Sequence, residues 1–264
     1  METIQISDQE FTQFQRLIHQ LAGISLSPAK KALVCGRLGK RLAQHHLHSY
    51  GEYFNLLTDK HHQDELQMAV DLLTTNETYF FREPKHFDFL RQQIKPGRPF
   101  RVWSAACSSG EEPYSIAMVL ADLLGDSPWE VVASDISTRV LDKARAGHYP
   151  LERTSGISRE HLSRYCLKGV GSQQGTLLVE SKLRGRVNFM QLNLSKQLPV
   201  LGEFDLIFLR NVMIYFDIET KRQVVQRMLP LLRAGGHFLV GHSESLNGVV
   251  DSLQTIAPAI YRKP

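Results

Sequence analysis

Ser104-Ala-Ala-Cys-Ser-Ser-Gly-Glu-Glu-Pro113 follows a short apolar run at 100–103. Its small residues let a ligand approach the backbone closely. Gly110 is its one glycine, so the GxGxxG fingerprint that cradles a pyrophosphate is missing. The acidic pair Glu111-Glu112 disfavours phosphate and favours a cationic ligand. Ser134-Asp135 closes a second apolar run at 131–133. A carboxylate there can accept both ribose hydroxyls, in charge-assisted bonds worth about 1.5–3 kcal/mol. Together these features suit a nucleoside carrying a sulfonium, such as S-adenosylmethionine, better than NAD. Each has a plainer alternative. Asp135 can cap a helix, and Glu111 or Glu112 can complement a helix dipole. Leu209-Arg-Asn-Val-Met-Ile-Tyr-Phe216 brings Asn211 and Tyr215 to the edge of the same site, with a core aromatic as the alternative for Tyr215.

Other chemistries are poorly supported. The [DN]PP[YF] signature of amino-group methyltransferases is absent, which weakens a nucleic-acid reading. Cys35, Cys107 and Cys166 are few, far apart and without CxxC spacing. They fit a reducing compartment and neither a disulfide framework nor a structural zinc site. Cys107 reads as a small packing residue rather than a nucleophile. The 11 histidines include His45, His46, His48, His61 and His62, which lack flanking cysteine or carboxylate ligands. They read as surface or capping groups, and no metal is expected. His242 stays open between a structural and a cofactor-adjacent role.

The chain has 264 residues, 42% hydrophobic and 22% charged, with net charge +4. That length suits one large or two smaller domains and needs no disulfide staples. No apolar run approaches the ~20 residues of a membrane span. Residues 1–10 are polar and partly acidic, so no signal peptide is expected. The mild positive charge suits an acidic partner.

The elements that must position the loops follow from periodicity. The first ~75 residues read as helices only. Ser7 to Glu10 and Ser49 to Glu52 fit capping boxes. Gly23 can end the first helix, and Ser27-Pro28 can start the second. A fourth helix is expected over 64–73. After the breaker Lys95-Pro-Gly-Arg-Pro99, strands are expected at 100–103, 131–133, 187–192, 204–209, 237–241 and 259–262, with a turn at Gly235-Gly236. Helices are expected at 114–124, 138–146 and 218–232. Such alternation implies a parallel α/β sheet, with ligands beyond its carboxyl edge. Residues 167–186 interrupt it, and the glycine-rich stretch Lys168 to Gly175 reads as an inserted hairpin. On the second helix Lys30, Arg37 and Arg41 fall within ~40° of one another, with Lys40 nearby, and form a basic face.

Thr74-Thr-Asn-Glu-Thr-Tyr-Phe-Phe-Arg-Glu83, Trp103 to Ile116, Ala133-Ser-Asp-Ile136, Phe208 to Phe216 and Gly241-His-Ser-Glu-Ser245 resemble the chemoreceptor protein-glutamate O-methyltransferases (the CheR family) of bacterial chemotaxis. The resemblance covers nearly the whole chain. It implies a small all-helical N-terminal domain at 1–74 and a linker at 75–99 that contributes site residues. A Rossmann-like (class I) methyltransferase domain would follow at 100–264, with an antiparallel β subdomain inserted at about 165–186. The implied activity is methyl transfer from S-adenosylmethionine to receptor glutamates, leaving S-adenosylhomocysteine. Asn76, Thr78, Arg82, Glu112, Asp135, Asn193, Leu194, Asn211 and Val212 would contact the cofactor. Arg82 and Tyr215 would lie near the methyl.

The resemblance also implies receptor docking through Lys30, Arg37, Lys40 and Arg41. Lys168, Gly169, Gly171, Gly175 and Leu178 would add a receptor's C-terminal pentapeptide as an extra strand. Lys168 stands where relatives carry arginine, and Leu178 and Glu180 where they are basic. A cytoplasmic monomer recruited to receptor arrays is expected, with no nucleic acid and no membrane insertion. A carboxylate acceptor, with pKa ~4.3, is ionised at neutral pH and needs no general base. The rivals are a noncatalytic receptor-binding adaptor, a methyltransferase with another acceptor and, more distantly, a dinucleotide oxidoreductase.

Overall fold

The computed structural model describes residues 4–95 and 97–264. Part of the polar N-terminal stretch (residues 1–3) and Pro96 of the breaker lie outside the described residues. Four helices come first: α1 (Asp8–Ala22), α2 (Lys31–Gln44), α3 (Tyr50–Thr58) and α4 (Gln63–Leu73). The Ser7 capping box forms in full, and Gly23 ends α1 in the left-handed conformation. At the start of α3 only half the box forms. Ser49 accepts from the Glu52 N–H, while the Glu52 carboxylate turns back to the His48 N–H. Ser27-Pro28 opens a 3-10 turn, and the α-helix begins three residues later.

The remaining elements are α5 (Lys85–Gln93), β1 (Phe100–Ala105), α6 (Glu111–Leu124), β2 (Trp129–Asp135), α7 (Thr138–Ala146), β3 (His148–Pro150), α8 (Arg159–Tyr165), β4 (Cys166–Lys168), β5 (Thr176–Val179), α9 (Ser181–Arg184), β6 (Val187–Gln191), β7 (Phe204–Leu209), α10 (Ile218–Met228), β8 (Leu232–Val240), β9 (Gln254–Ala257) and β10 (Ile260–Arg262). The seven-stranded sheet has the order β6-β2-β1-β7-β8-β10-β9. Its first five strands pair in parallel, and β10 and β9 close the edge antiparallel. The order reverses direction at β1, and that switch point is where a parallel sheet opens a crevice.

Two expectations need correction. Gly235-Gly236 is not a turn between elements. Both glycines lie inside β8, where the pairing with β7 slips between Phe204 and Leu206, so they make a bulge. The inserted subdomain is larger than a hairpin at 165–186. It is a three-stranded antiparallel sheet, β3-β5-β4, that starts at His148, with strands too short to show periodicity. Within the expected linker at 75–99, residues 85–93 form α5.

The sheet's two faces are covered differently. One face packs with α5, α6 and the inserted sheet around Phe87, Ile116, Leu120 and Phe208. The other shares one continuous apolar cluster with α1–α4, running from Phe11, Phe14, Val34 and Leu57 to Trp103, Val132, Phe204 and Val225. The four-helix bundle is therefore an outer layer of the sheet. Its α1–α2 connection also reaches the sheet's carboxyl edge, where Ile24 bridges Phe216 and the Ser25 N–H donates to the Tyr215 carbonyl at 2.7 Å.

Candidate active site

A cleft opens beyond the carboxyl ends of β1, β2 and β7. Its walls are the 106–108 turn, the β2 end, residues 192–194, the 210–216 loop, a strap at 74–82 and the end of α1. Asn76, Thr78, Arg82, Glu112, Asp135, Asn193, Leu194, Asn211, Val212 and Tyr215 all line it. Residues from five separate blocks of the sequence thus meet around one space. The loops that bring them there are strained. Phe81, Glu83, Ala106, Ser108 and Asn211 all have φ between 50° and 61° without being glycine. Gly110 is irreplaceable at the head of α6. Its φ is +97°, and a Cβ there would lie 2.8 Å from Tyr149 Oη and 2.9 Å from Ala144 Cβ.

Asp135 is not the cap of α7, because Ser137 caps that helix. Its Oδ2 accepts from the Ser108 N–H at 2.8 Å and Oδ1 from the Ser137 N–H at 2.9 Å. Burial raises its carboxyl above the usual range, and those N–H groups counter part of the rise. The acidic pair divides. Glu112 faces the cleft, accepting from Ser104 Oγ at 2.7 Å and Arg210 Nη1 at 2.8 Å. Glu111 is fully buried, against Ser109 Oγ and Arg153, and burial raises its carboxyl. Only one of the two carboxylates can therefore face a cation in the cleft. Burial pushes the Cys107 thiol well up, which fits packing and not nucleophilic attack.

Arg82 donates to the Glu77 carbonyl at 2.8 Å and lies 5.7 Å from the Tyr79 ring centre. No carboxylate among the described residues pairs with it. Asn193 ties the cleft to the bundle, with its side-chain N–H on the Leu21 carbonyl and its Oδ1 accepting from the Ser195 N–H at 2.9 Å. The donors and acceptors suit a cationic nucleoside. Asp135 and Glu112 offer carboxylate oxygens, Asn76, Asn193 and Asn211 offer amides, and Ala106, Cys107 and Ser108 leave room at the backbone.

The CheR methyltransferase SAM-binding domain model matches residues 76–261, and the CheR methyltransferase all-alpha domain model matches residues 9–74. The chain belongs to the CheR methyltransferase family. It is 46% identical to the chemotaxis protein methyltransferase of Escherichia coli K12, over 93% of this chain and 87% of that one. It is 44% identical to chemotaxis protein methyltransferase 2 of Pseudomonas aeruginosa, over 96% and 92%. The Salmonella typhimurium chemotaxis protein methyltransferase is 42% identical, over 98% and 92%. The two domains are accordingly the small helical domain and the Rossmann-like class I domain of S-adenosylmethionine-dependent methyltransferases.

Sequence reasoning missed the CheR cleft's central cation. Arg210 is 5% exposed and is clamped by Glu112 and by Glu83 Oε2 at 2.9 Å, and it also donates to the Arg82 carbonyl. Glu83 in turn accepts from Asn211 Nδ2 at 3.3 Å and the His242 N–H at 3.2 Å. Glu244 holds the loop by accepting from the N–H groups of Asn211, Gly241 and Ile214. Both Arg210 and Glu244 sit inside strings already singled out. A charged residue ending the apolar strand 204–209 was the available signal. Glu83, His86 and His242 bring one carboxylate and two imidazoles within 4.8 Å. Both Glu83 oxygens are already engaged, so the cluster reads as scaffolding. The His242 ring lies 4.9 Å from that of His86, and His242 is not among the residues that line the cleft.

The four expected docking residues differ in their surroundings. Lys30 precedes α2, and Lys30 and Lys40 are exposed. Arg37 and Arg41 have partners of their own, which a free basic face would not show. Arg37 donates to the Leu73 and Thr74 carbonyls at 3.1 and 2.9 Å. Arg41 Nε donates to Glu65 at 2.8 Å, and Glu65 also accepts from Tyr53 Oη at 2.6 Å. Helical spacing identified a shared face but not its occupants. On the inserted sheet, Lys168 ends the edge strand β4 and Leu178 lies on β5. The glycine spacing is explained by the loop itself. Gly171 and Gly175 have positive φ, and a Cβ on Gly169 would strike the Gln173 carbonyl.

Proposed function

We propose that this chain methylates glutamate side chains on cytoplasmic helices of chemoreceptors, giving methyl esters. The reading is carried by one observation. Arg82, with no carboxylate partner among the described residues, shares a cleft with Tyr215 and the acidic and amide groups that suit S-adenosylmethionine. A methyl acceptor that is itself a carboxylate would supply the partner Arg82 lacks.

When bound, S-adenosylmethionine supplies a methyl group on a positively charged sulfur. Asp135 accepts from the ribose hydroxyls. Asn76, Thr78, Asn193, Leu194, Asn211 and Val212 complete the cofactor contacts, and Glu112 places negative charge near the cation. Arg82 holds the acceptor carboxylate and Tyr215 orients its oxygen. The bound cofactor would supply its methyl to the acceptor carboxylate oxygen, with the displaced electron pair left on its sulfur. No proton moves, so no general base is needed. Positioning of this kind can supply about 7–11 kcal/mol.

In this reading residues 1–74 and 75–99 are docking domain and linker, and the protein acts as a monomer at cytoplasmic receptor arrays. Lys30 and Lys40 supply the docking charge. Lys168, Gly169, Gly171, Gly175 and Leu178 flank the edge strand that would pair with a receptor tail pentapeptide. The relatives' names support the receptor assignment.

The test is transfer of radiolabelled methyl from S-adenosylmethionine to receptor cytoplasmic fragments, with and without their tails. Label released by alkali as methanol is the expected result. Tight cofactor binding with no labelled fragment would remove the receptor substrate, and no cofactor binding would favour a noncatalytic adaptor.

A further inference from the structure

We infer that Asp71, in the last turn of α4, is a positioning residue for cofactor binding. It closes a circuit of hydrogen bonds that ties the strap at 74–82 to the loops after β1 and β2. The inference rests on the reading of this cleft as the S-adenosylmethionine site and not on the identity of the acceptor.

Asp71 is 2% exposed, among the buried Ala69, Val70 and Leu73. A carboxylate in such a place is costly unless its oxygens are hydrogen-bonded. Most of its donors come from the methyltransferase domain. The Thr138 N–H and Oγ1 donate to it at 3.1 and 2.9 Å, and the Arg139 N–H at 3.3 Å. Gln67 Nε2, one turn earlier on α4, donates at 2.8 Å. Thr138, Arg139 and Val140 open α7, and N–H groups there find no partner within a helix. Ser137 serves Val140 alone, through a long bond of 3.5 Å. Asp71 takes the other two, and a negative charge suits a helix start. A residue of the bundle thus completes the cap of the helix that follows Asp135.

The circuit leaves Asp71 in two directions. Its carbonyl accepts from Thr74 Oγ1 at 3.0 Å, and Thr74 Oγ1 accepts from Asn76 Nδ2 at 3.2 Å. The Asn76 carbonyl accepts from Ser108 Oγ at 2.9 Å. The Ser108 and Ser137 N–H groups meet on the two oxygens of Asp135, and Thr138 leads back to the Asp71 carboxylate. Thr74, Asn76, Ser108 and Asp135 line the cleft, whereas Asp71, Ser137 and Thr138 are not among its lining residues. Asp71 therefore acts through others. It fixes the Asn76 side chain and the Asp135 carboxylate relative to each other before a nucleoside arrives. A site ordered in advance binds more tightly, because binding no longer has to order it.

The experiment is calorimetric titration of S-adenosylmethionine into the full chain and its variants, at a temperature where denaturant unfolding shows each to be folded. Asp71→Ala should weaken binding about tenfold, the scale of one hydrogen bond to a charged group. Asp71→Asn should return affinity to within about twofold, since its amide oxygen still accepts from Thr138 and Gln67. A residue needed only for stability would give no such loss and rescue in affinity. Thr138→Val removes one hydroxyl outside the cleft and should weaken binding about threefold. It carries the test if Asp71→Ala does not fold. Thr74→Val opens the same circuit on its other side, so adding it to Asp71→Ala should cost less than about twofold more. Losses that multiply in the double variant would overturn the circuit. Unchanged affinity in Asp71→Ala and Thr138→Val, with Asp135→Ala weakened, would overturn the positioning role alone. Full affinity in Asp135→Ala would overturn the reading of the cleft and the circuit together.

Discussion

Two arginine clusters in this molecule look alike in composition and differ in use. Arg41 lies in the helical bundle and is held by Glu65, with Tyr53 and His45 closing the ring. Arg210 lies at the sheet edge and is held by Glu83 and Glu112. The first cluster satisfies itself. The second keeps loose ends, since Arg210 Nε and both nitrogens of the buried His86 make no hydrogen bond, although His86 Nδ1 lies 3.4 Å from Glu83 Oε2. It also borders the cleft. A saturated cluster stabilises one structure, whereas an incomplete one beside a cavity is poised for a ligand.

The sharpest way to break the comparison is to remove each arginine. Arg210→Ala leaves two carboxylates facing each other in a buried place. It should cost about 3–5 kcal/mol in denaturant unfolding and abolish S-adenosylmethionine binding. Arg41→Glu should destabilise to a similar extent without acting on the cofactor's immediate contacts. Lys40→Glu, at an exposed position nearby, should stay within about 0.5 kcal/mol. If Arg41→Glu were as mild, the bundle arginine would be a surface group after all.

The two clusters should also separate in acid. Burial first, then the charge of Arg210, pushes the His86 pKa down to about 4. The fold therefore prefers neutral His86. That stability is whole above the unfolded pKa of ~6.5 and is lost as pH falls toward 4, about 3 kcal/mol at most. Burial alone would raise the Glu65 carboxyl, but hydrogen bonds from Arg41, Tyr53 and His45 outweigh it and hold it at about 2. Its contribution is present above ~4.5 and is lost only as pH falls toward 2. Cofactor affinity should weaken as pH falls through about 4, where His86 protonates in the folded protein, before the helical circular dichroism signal declines toward pH 2, where Glu65 does. A coincident loss of both signals would contradict the separation.

A smaller effect sharpens the picture. Arg37 fastens α2 to the Leu73 and Thr74 carbonyls, where the cleft strap begins. Arg37→Ala should weaken cofactor binding severalfold, the scale of one or two lost hydrogen bonds to a charged group. A pure docking residue would change the acceptor KM alone.

These contrasts show what the sequence could and could not reveal. Helices α1 and α4, strand β7 and the cleft residues Glu112, Asp135, Asn211 and Tyr215 were legible because each rests on a local pattern, whether a capping box, an apolar period or a loop after a strand, whereas Asn76, Thr78, Arg82, Asn193, Leu194 and Val212 followed only from the family resemblance. β3, β9 and α9 were not, because three or four residues carry no period and their pairing is fixed only by distant partners. The partners of the α2 arginines were not legible for the same reason. Spacing gives the face of a helix, but Glu65 and the Thr74 carbonyl arrive from other elements. Arg210 was overlooked because a charge at the end of an apolar strand acquires meaning only when Glu83 and Glu112 are brought beside it.

The most direct test is calorimetric titration of S-adenosylmethionine into the full chain and into Asp135→Ala. A single saturable site in the first, lost or weakened at least about tenfold in the second, is the predicted result, since two ribose hydroxyls would lose a charged acceptor. Equal affinity in both proteins would mean that the cofactor lies elsewhere and that the cleft beyond β1, β2 and β7 is not the methyl-transfer site.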